Sequence, residues 1–136
     1  MNQQLSPAEL ALLSTPIAMP PPLPTMTRKE KLLRFAQVVR SVPANFVIFH
    51  ELEYQPQHVL DTYHHSGSAF AAAGRDPVLQ QAGLKSDPHL GNVTVGAAQR
   101  FFELSKSDLH EFSCDCGGVI GNEEMARRIE SIAARN

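Results

Sequence analysis

Tryptophan is absent from this chain, and cysteine occurs only at Cys114 and Cys116. Two cysteines cannot build a disulfide framework, so stability has to come from an apolar core. Neither sign of charge dominates: 12 Lys and Arg stand against 14 Asp and Glu, a formal net charge of −2 with the six histidines neutral. That balance gives no bulk attraction to nucleic acid or to an anionic membrane. No apolar run approaches the roughly 18 residues of a membrane span, so no membrane partner is expected. No Lys or Arg precedes Arg28, and the apolar stretch from Leu10 to Leu13 is soon broken by Pro16. This is a poor match to a secretory signal, and a cytoplasmic protein with reduced thiols is expected. Also missing are GxSxG, HExxH, a Gly-rich phosphate loop, an EF-hand loop and CxxCH. No internal repeat is visible.

What is present suits one folded domain. Hydrophobic residues make up 43% of the 136 and charged residues 19%. The expected fold is mostly α: about five to six helices over residues 27–136, with room for one short strand or hairpin. A Pro-rich arm, 1–26, precedes it. Six of the ten prolines fall there, at 7, 16, 20, 21, 22 and 24, and the run from Met19 to Pro24 favours extended polyproline II. Ser6 and Pro7 could open one short helix in the arm. Its Leu10 and Leu13 are candidate contacts for this domain or a second subunit. A start at Met26, just before a clean helix signal, is the competing reading of this segment.

Thr27 and Glu30 have capping-box spacing and open the most secure helix. Leu32, Phe35, Ala36 and Val39 form its inner stripe, and it ends before Pro43. Its five basic residues, Arg28, Lys29, Lys31, Arg34 and Arg40, spread around the axis and read as a solvated face. Phe46, Ile48, Leu52 and Tyr54 alternate as in a strand, with residues 92–96 or 118–121 as partners and a buried helix as the alternative. Residues 56–74 read as one helix that Gly67 could break. On it His58, Asp61 and His65 share an outward face, and Asp61 could pair with His65. Asp76 and Pro77 start a short helix that Gly83 stops. Phe101, Phe102 and Leu104 are expected to be buried on the next helix, and Ser105 or Ser107 caps the one after. Asn122 is read as the cap of the last helix, where Met125, Ile129, Ile132 and Ala133 face inward. Glu123–Arg127 and Glu124–Arg128 pair outside.

The segment from His110 to Gly118, HEFSCDCGG, carries the candidate chemistry. On a helix His110 and Cys114 stand at i,i+4 and face one point. Cys116 could join them if the helix stops near Cys114, and Gly117 and Gly118 permit such an exit. His110, Cys114 and Cys116 would then hold zinc or iron, with His89, His64 or His65 as a fourth ligand. A nucleophilic thiol is disfavoured, because Glu111, Asp115 and a helix C-terminus all raise a thiol pKa. Two small side chains packed beside a turn are the simplest alternative.

Residues 97–112 have the rhythm of a helix-turn-helix. They depart from it with Glu103 in a turn that lacks glycine, and with Asp108 and Glu111 on the would-be recognition helix, which phosphate repels. Nucleic acid is therefore an unfavoured partner. The expected role is a small non-enzymatic interaction or regulatory protein, bound to a protein partner or to itself. Metal binding and DNA binding are the alternatives.

Overall fold

The computed structural model describes residues 25–114 and 117–135. Residues 1–24, with Leu10, Leu13 and nearly all of the Pro-rich arm, lie outside the described residues, as do Asp115 and Cys116. Among the described residues the chain forms seven α-helices, two 3-10 turns and a three-stranded sheet. It is a mostly helical domain with a small sheet, and it has more helices and one more strand than the sequence suggests. No described helix is long and apolar enough to cross a membrane.

Helix α1, Arg28–Ser41, begins with both halves of the capping box: Thr27 accepts from the Glu30 amide, and Glu30 accepts from the Thr27 amide. Its stripe of Leu32, Phe35, Ala36 and Val39 is buried. Those residues meet the inner stripe of α7, Asn122–Ala134, where Met125, Ala126, Ile129, Ile132 and Ala133 are buried. Two apolar stripes at helical spacing bury each other, and this pair forms the spine of the fold.

Between them the chain makes α2 (Gln57–Leu60), α3 (Ala69–Gly74), α4 (Pro77–Gln81), α5 (Val95–Phe102) and α6 (Lys106–Leu109). Residues 56–74 are thus two short helices, not one. α2 ends after a turn, and Ser68 caps a fresh start by accepting from the Ala71 amide. His58, Asp61 and His65 therefore share no helix face. Asp61 binds Arg100 at 3.0 Å, and His65 Nδ1 accepts from the Gly67 amide. α5 packs so close to Asp61 that a Cβ on Gly96 would lie 2.9 Å from the Asp61 Cα. Only glycine fits there.

Strand β1, Asn45–His50, lies at the centre of the sheet in the order β2-β1-β3. Its antiparallel neighbour β3, Gly118–Gly121, pairs Phe46 with Ile120 and Ile48 with Gly118. This settles residues 45–50 as strand and confirms the 118–121 partner. Its other neighbour is β2, Ser113–Cys114, which runs parallel and pairs Phe49 with Ser113. Residues 92–96 make no strand; Thr94 caps α5 instead. The alternation also fails past His50, which is exposed: Glu51 takes a left-handed φ of 50°, and Leu52–Tyr54 is a 3-10 turn with Leu52 buried and Tyr54 exposed.

Two further expectations change. Asn122 does not cap α7, whose cap residue is Gly121. Its side-chain amide instead donates to the carbonyls of Arg40 and Val42, satisfying the C-terminal end of α1. The basic residues of α1 are also more than a solvated face. Arg34 binds Asp76, Arg40 binds Glu123 and Glu130, Arg28 binds Asp108, and Lys31 donates to the Phe101 carbonyl over the Phe101 ring. Phe101 itself is only half-buried, while Phe102 and Leu104 are buried. The external pairs on α7 form as expected, at 3.7 Å for Glu123–Arg127 and 3.3 Å for Glu124–Arg128.

Candidate functional site

The segment around His110 is not one helix. Ser105 caps α6 in a capping box with Asp108, and α6 lasts a single turn. A 3-10 turn, His110–Phe112, follows, and then Ser113 and Cys114 enter β2. His110 and Cys114 therefore do not share a helix face, and Cys114 sits on a strand. The turn before α6 holds Glu103 at φ 55°, a left-handed position that favours glycine. A helix of one turn cannot serve as a recognition helix. Its Asp108 is buried, held by Arg28 at 3.2 Å and Arg135 at 2.9 Å.

What the structure does bring to His110 is Glu53, a residue that no motif or spacing marks. The 3-10 turn after β1 carries Glu53 beneath the imidazole, with His110 Nδ1 2.6 Å from Glu53 Oε2. The Glu53 side chain is only 15% exposed. Its other oxygen, Oε1, is buried with no hydrogen-bond partner among the described residues. Burial pushes this carboxyl up, while His110, its own backbone amide and the Ser113 hydroxyl pull it down. The pull wins, so Glu53 sits below the usual carboxylate range and is ionised at neutral pH. Ser113 Oγ also accepts from the Leu52 amide at 2.9 Å, which ties β2 to the turn that carries Glu53.

His110 separates two open depressions. One, of about 530 Å³, is lined by Glu53, Tyr54, Ser107, Glu111 and Arg135. The other, of about 400 Å³, is lined by Glu111, Ser113, Cys114, Glu124 and Arg128. Charges in both are already matched: Arg135 binds Glu111 and Asp108, and Arg128 binds Glu124. Cys114 is half-buried, and its thiol donates to the Gly117 carbonyl at 2.9 Å. Gly117 and Gly118 do take left-handed backbone, with φ of 77° and 130°.

The remaining ligand candidates are spread over other elements. His64 Nδ1 lies 3.2 Å from the Asn92 amide nitrogen, His65 is bound to Gly67, and His89 belongs to a turn closed by Asp87. Among the described residues no three His, Cys, Asp or Glu side chains gather as metal ligands. Cys116 lies outside the described residues.

The second surface feature is the sheet itself. Val47 donates its N–H to the Gly67 carbonyl and bridges Ser68, so its main-chain polar groups face away from β3. In an antiparallel ladder, residues alternate between bonded and non-bonded pairs. Val47↔Val119 is then a non-bonded pair, and the N–H and C=O of Val119 point out from the sheet edge. Val119 is 59% exposed. Edge strands are usually blunted by charge, proline or a bulge, and Gly118-Val119-Ile120-Gly121 carries no charge and no proline.

No family model, no curated protein and no solved structure matches this chain.

Proposed function

We propose that this chain is a small non-enzymatic interaction or regulatory domain that works by docking against protein. The observation that carries the reading is the open edge of β3, with the main-chain groups of Val119 turned outward beside an exposed apolar side chain. Strand addition to such an edge gains affinity from main-chain hydrogen bonds. Arg28, Arg40 and Arg135 give secondary support, because each binds carboxylates of α6 or α7 and acts as an internal clamp. The test uses immobilised full-length chain, wild type against Val119→Lys. A genuine partner is expected to be retained at least about tenfold less by the variant, since each 1.4 kcal/mol is tenfold in affinity. Partners held equally by both proteins would refute the reading.

A zinc or iron ion held by His110, Cys114 and Cys116 is the second reading, and one observation favours it. Glu53 occupies His110 Nδ1 and leaves Nε2 without a partner among the described residues. A carboxylate behind a histidine is the arrangement that orients metal-ligating imidazoles. Elemental analysis of native protein is expected to find stoichiometric metal, lost together with stability in Cys114→Ser. Fully folded, metal-free native protein would end this reading.

A further inference from the structure

We infer that the N-terminal arm of this chain docks on its own domain, with Leu10 and Leu13 in the depression between α1 and the α3–α4 corner and Glu9 paired with Arg75. None of these residues belongs to the edge of β3, so the proposal stands whether or not that edge binds protein.

The receiving surface is a depression of about 460 Å³. One wall is the C-terminal half of α1 and its cap, with Gln37, Val38 and Val42. The other is the corner where α3 ends and α4 begins, with Ala72, Arg75 and Pro77. Val38 and Val42 are half-buried against the core, and Pro77 is exposed. Two cations line this depression. Arg34 is already held by Asp76, whereas Arg75 is exposed and has no ion pair or side-chain hydrogen bond among the described residues. A second depression, of about 680 Å³, shares Arg34, Gln37 and Ser41 and continues along α1 to the exposed Leu33. Together they form a track that leads back towards Thr27, where the arm joins α1.

Charge selects the occupant. Residues 1–24 carry a single charged side chain, Glu9, next to Leu10, Leu12 and Leu13. On the short helix that Ser6 and Pro7 would open, Glu9, Leu10 and Leu13 fall on one face. One carboxylate beside two leucines matches one unpaired guanidinium beside two valines and an alanine. Length permits the contact. From Thr27 to Ser41 α1 rises roughly 21 Å, and residues 19–24 span roughly 19 Å as polyproline II. They run beside α1 to its far end, and residues 14–18 suffice to lay residues 9–13 over the depression. Tethering makes a small contact sufficient, because a short linker holds the arm at an effective concentration on the order of millimolar. A second copy at micromolar concentration competes poorly against that.

Hydrogen exchange of the full chain, read on peptides covering residues 5–13, tests the docking. In wild type these amides are expected to exchange at least about tenfold more slowly than in a free peptide of the same sequence. Arg75→Glu sets two carboxylates against each other and is expected to cut that protection about threefold or more, the size of an exposed pair turned from attraction to repulsion. Leu10→Ser with Leu13→Ser removes the apolar contact and is expected to abolish protection. Glu9→Arg combined with Arg75→Glu is expected to restore it, because the pair is rebuilt with its signs exchanged. Every substituted position is in the arm or exposed, and an unchanged circular dichroism spectrum shows that each variant is folded.

Four results would overturn the inference. They are exchange at 5–13 as fast as in the free peptide, protection that Arg75→Glu leaves intact, a double reversal that restores nothing, and protection that rises with protein concentration from about 10 μM to 1 mM. The last result would give the depression to the arm of a second copy.

Discussion

Phe35→Ala is expected to cost about 3–5 kcal/mol of folding free energy, the largest single effect in the chain. The Phe35 side chain is fully buried on α1. Its ring stacks on Phe102 of α5 at 4.6 Å, and lies 5.9 Å from both Phe70 of α3 and Phe112 of the 3-10 turn. Phe70 and Phe112 are themselves 4.5 Å apart. One side chain therefore holds four separate elements together, and no neighbour can collapse into its space without breaking another ring contact. Small domains are stable by only about 5–15 kcal/mol, so the variant should lose a large share of its folded population on mild heating. Urea unfolding checks this, with Leu33→Ala on the exposed face of α1 as a control expected to stay within about 0.5 kcal/mol. A Phe35→Ala loss below about 1 kcal/mol would mean that the rings are not the centre of the core, since buried Phe→Ala costs several times that.

Asp76→Ala is expected to cost about 2–3 kcal/mol at neutral pH, because it removes a helix cap and a charge-assisted fork together. Asp76 caps α4 by accepting from the Leu79 amide at 3.0 Å, and it receives Arg34 Nη2 at 2.7 Å and Nε at 3.0 Å. Its side chain is 6% exposed while that of Arg34 is 32% exposed. After the substitution Arg34 can turn to water, which keeps the cost below that of a stranded buried charge.

The same contacts set a pH dependence. Hydrogen bonding by Arg34 is the largest influence on Asp76. Together with the Leu79 amide and the Arg34 charge it outweighs burial and holds the carboxyl below its usual range. A depressed folded value means that the contribution is complete above the unfolded value of about 4 and is lost as pH falls through the folded one. Asp108, where burial is the largest influence but Ser105 and Arg135 prevail, shifts in the same direction. Wild type should therefore lose stability on acidification below about pH 4, and Asp76→Ala should lose less, so that the two converge. Unfolding midpoints at pH 7 and pH 2.5 make the comparison. A gap that stays as wide at pH 2.5 would place the effect elsewhere.

Much of the helical part was legible in the sequence, because its signals are local. The Thr27–Glu30 box, the Asp76-Pro77 start and the stripes of α1 and α7 all involve groups within four residues of each other. Any helix through those residues must bring them together. The failures are equally physical. Residues 56–74 contain enough helix-compatible positions to read as one helix, yet Ser68 offers a cap and β1 offers the Gly67 carbonyl a partner, and those contacts hold the chain open between α2 and α3. His110 and Cys114 had suitable spacing, but spacing means nothing once the helix ends at Leu109. Glu53 could not be paired with His110 from 57 positions away, since nothing in a linear pattern marks which turn will come to rest beneath an imidazole.

The sequence by itself determined where α1 and α4 begin and which faces α1 and α7 bury; it offered residues 46–54 as strand with 92–96 or 118–121 as partner, of which only 45–50 and 118–121 pair. Only the tertiary structure decided that Arg28, Arg34 and Arg40 are clamps, not a solvated face. It also turned Asn122 to the end of α1 and brought Glu53 to His110. Each of these depends on a partner more than 40 positions away, supplied by packing and not by helical or strand period. The outward turn of Val119 is of the same kind. It follows from the hydrogen bond that Val47 makes to Gly67 on the far side of β1, and no inspection of Gly-Val-Ile-Gly alone would reveal which of its groups is left facing out.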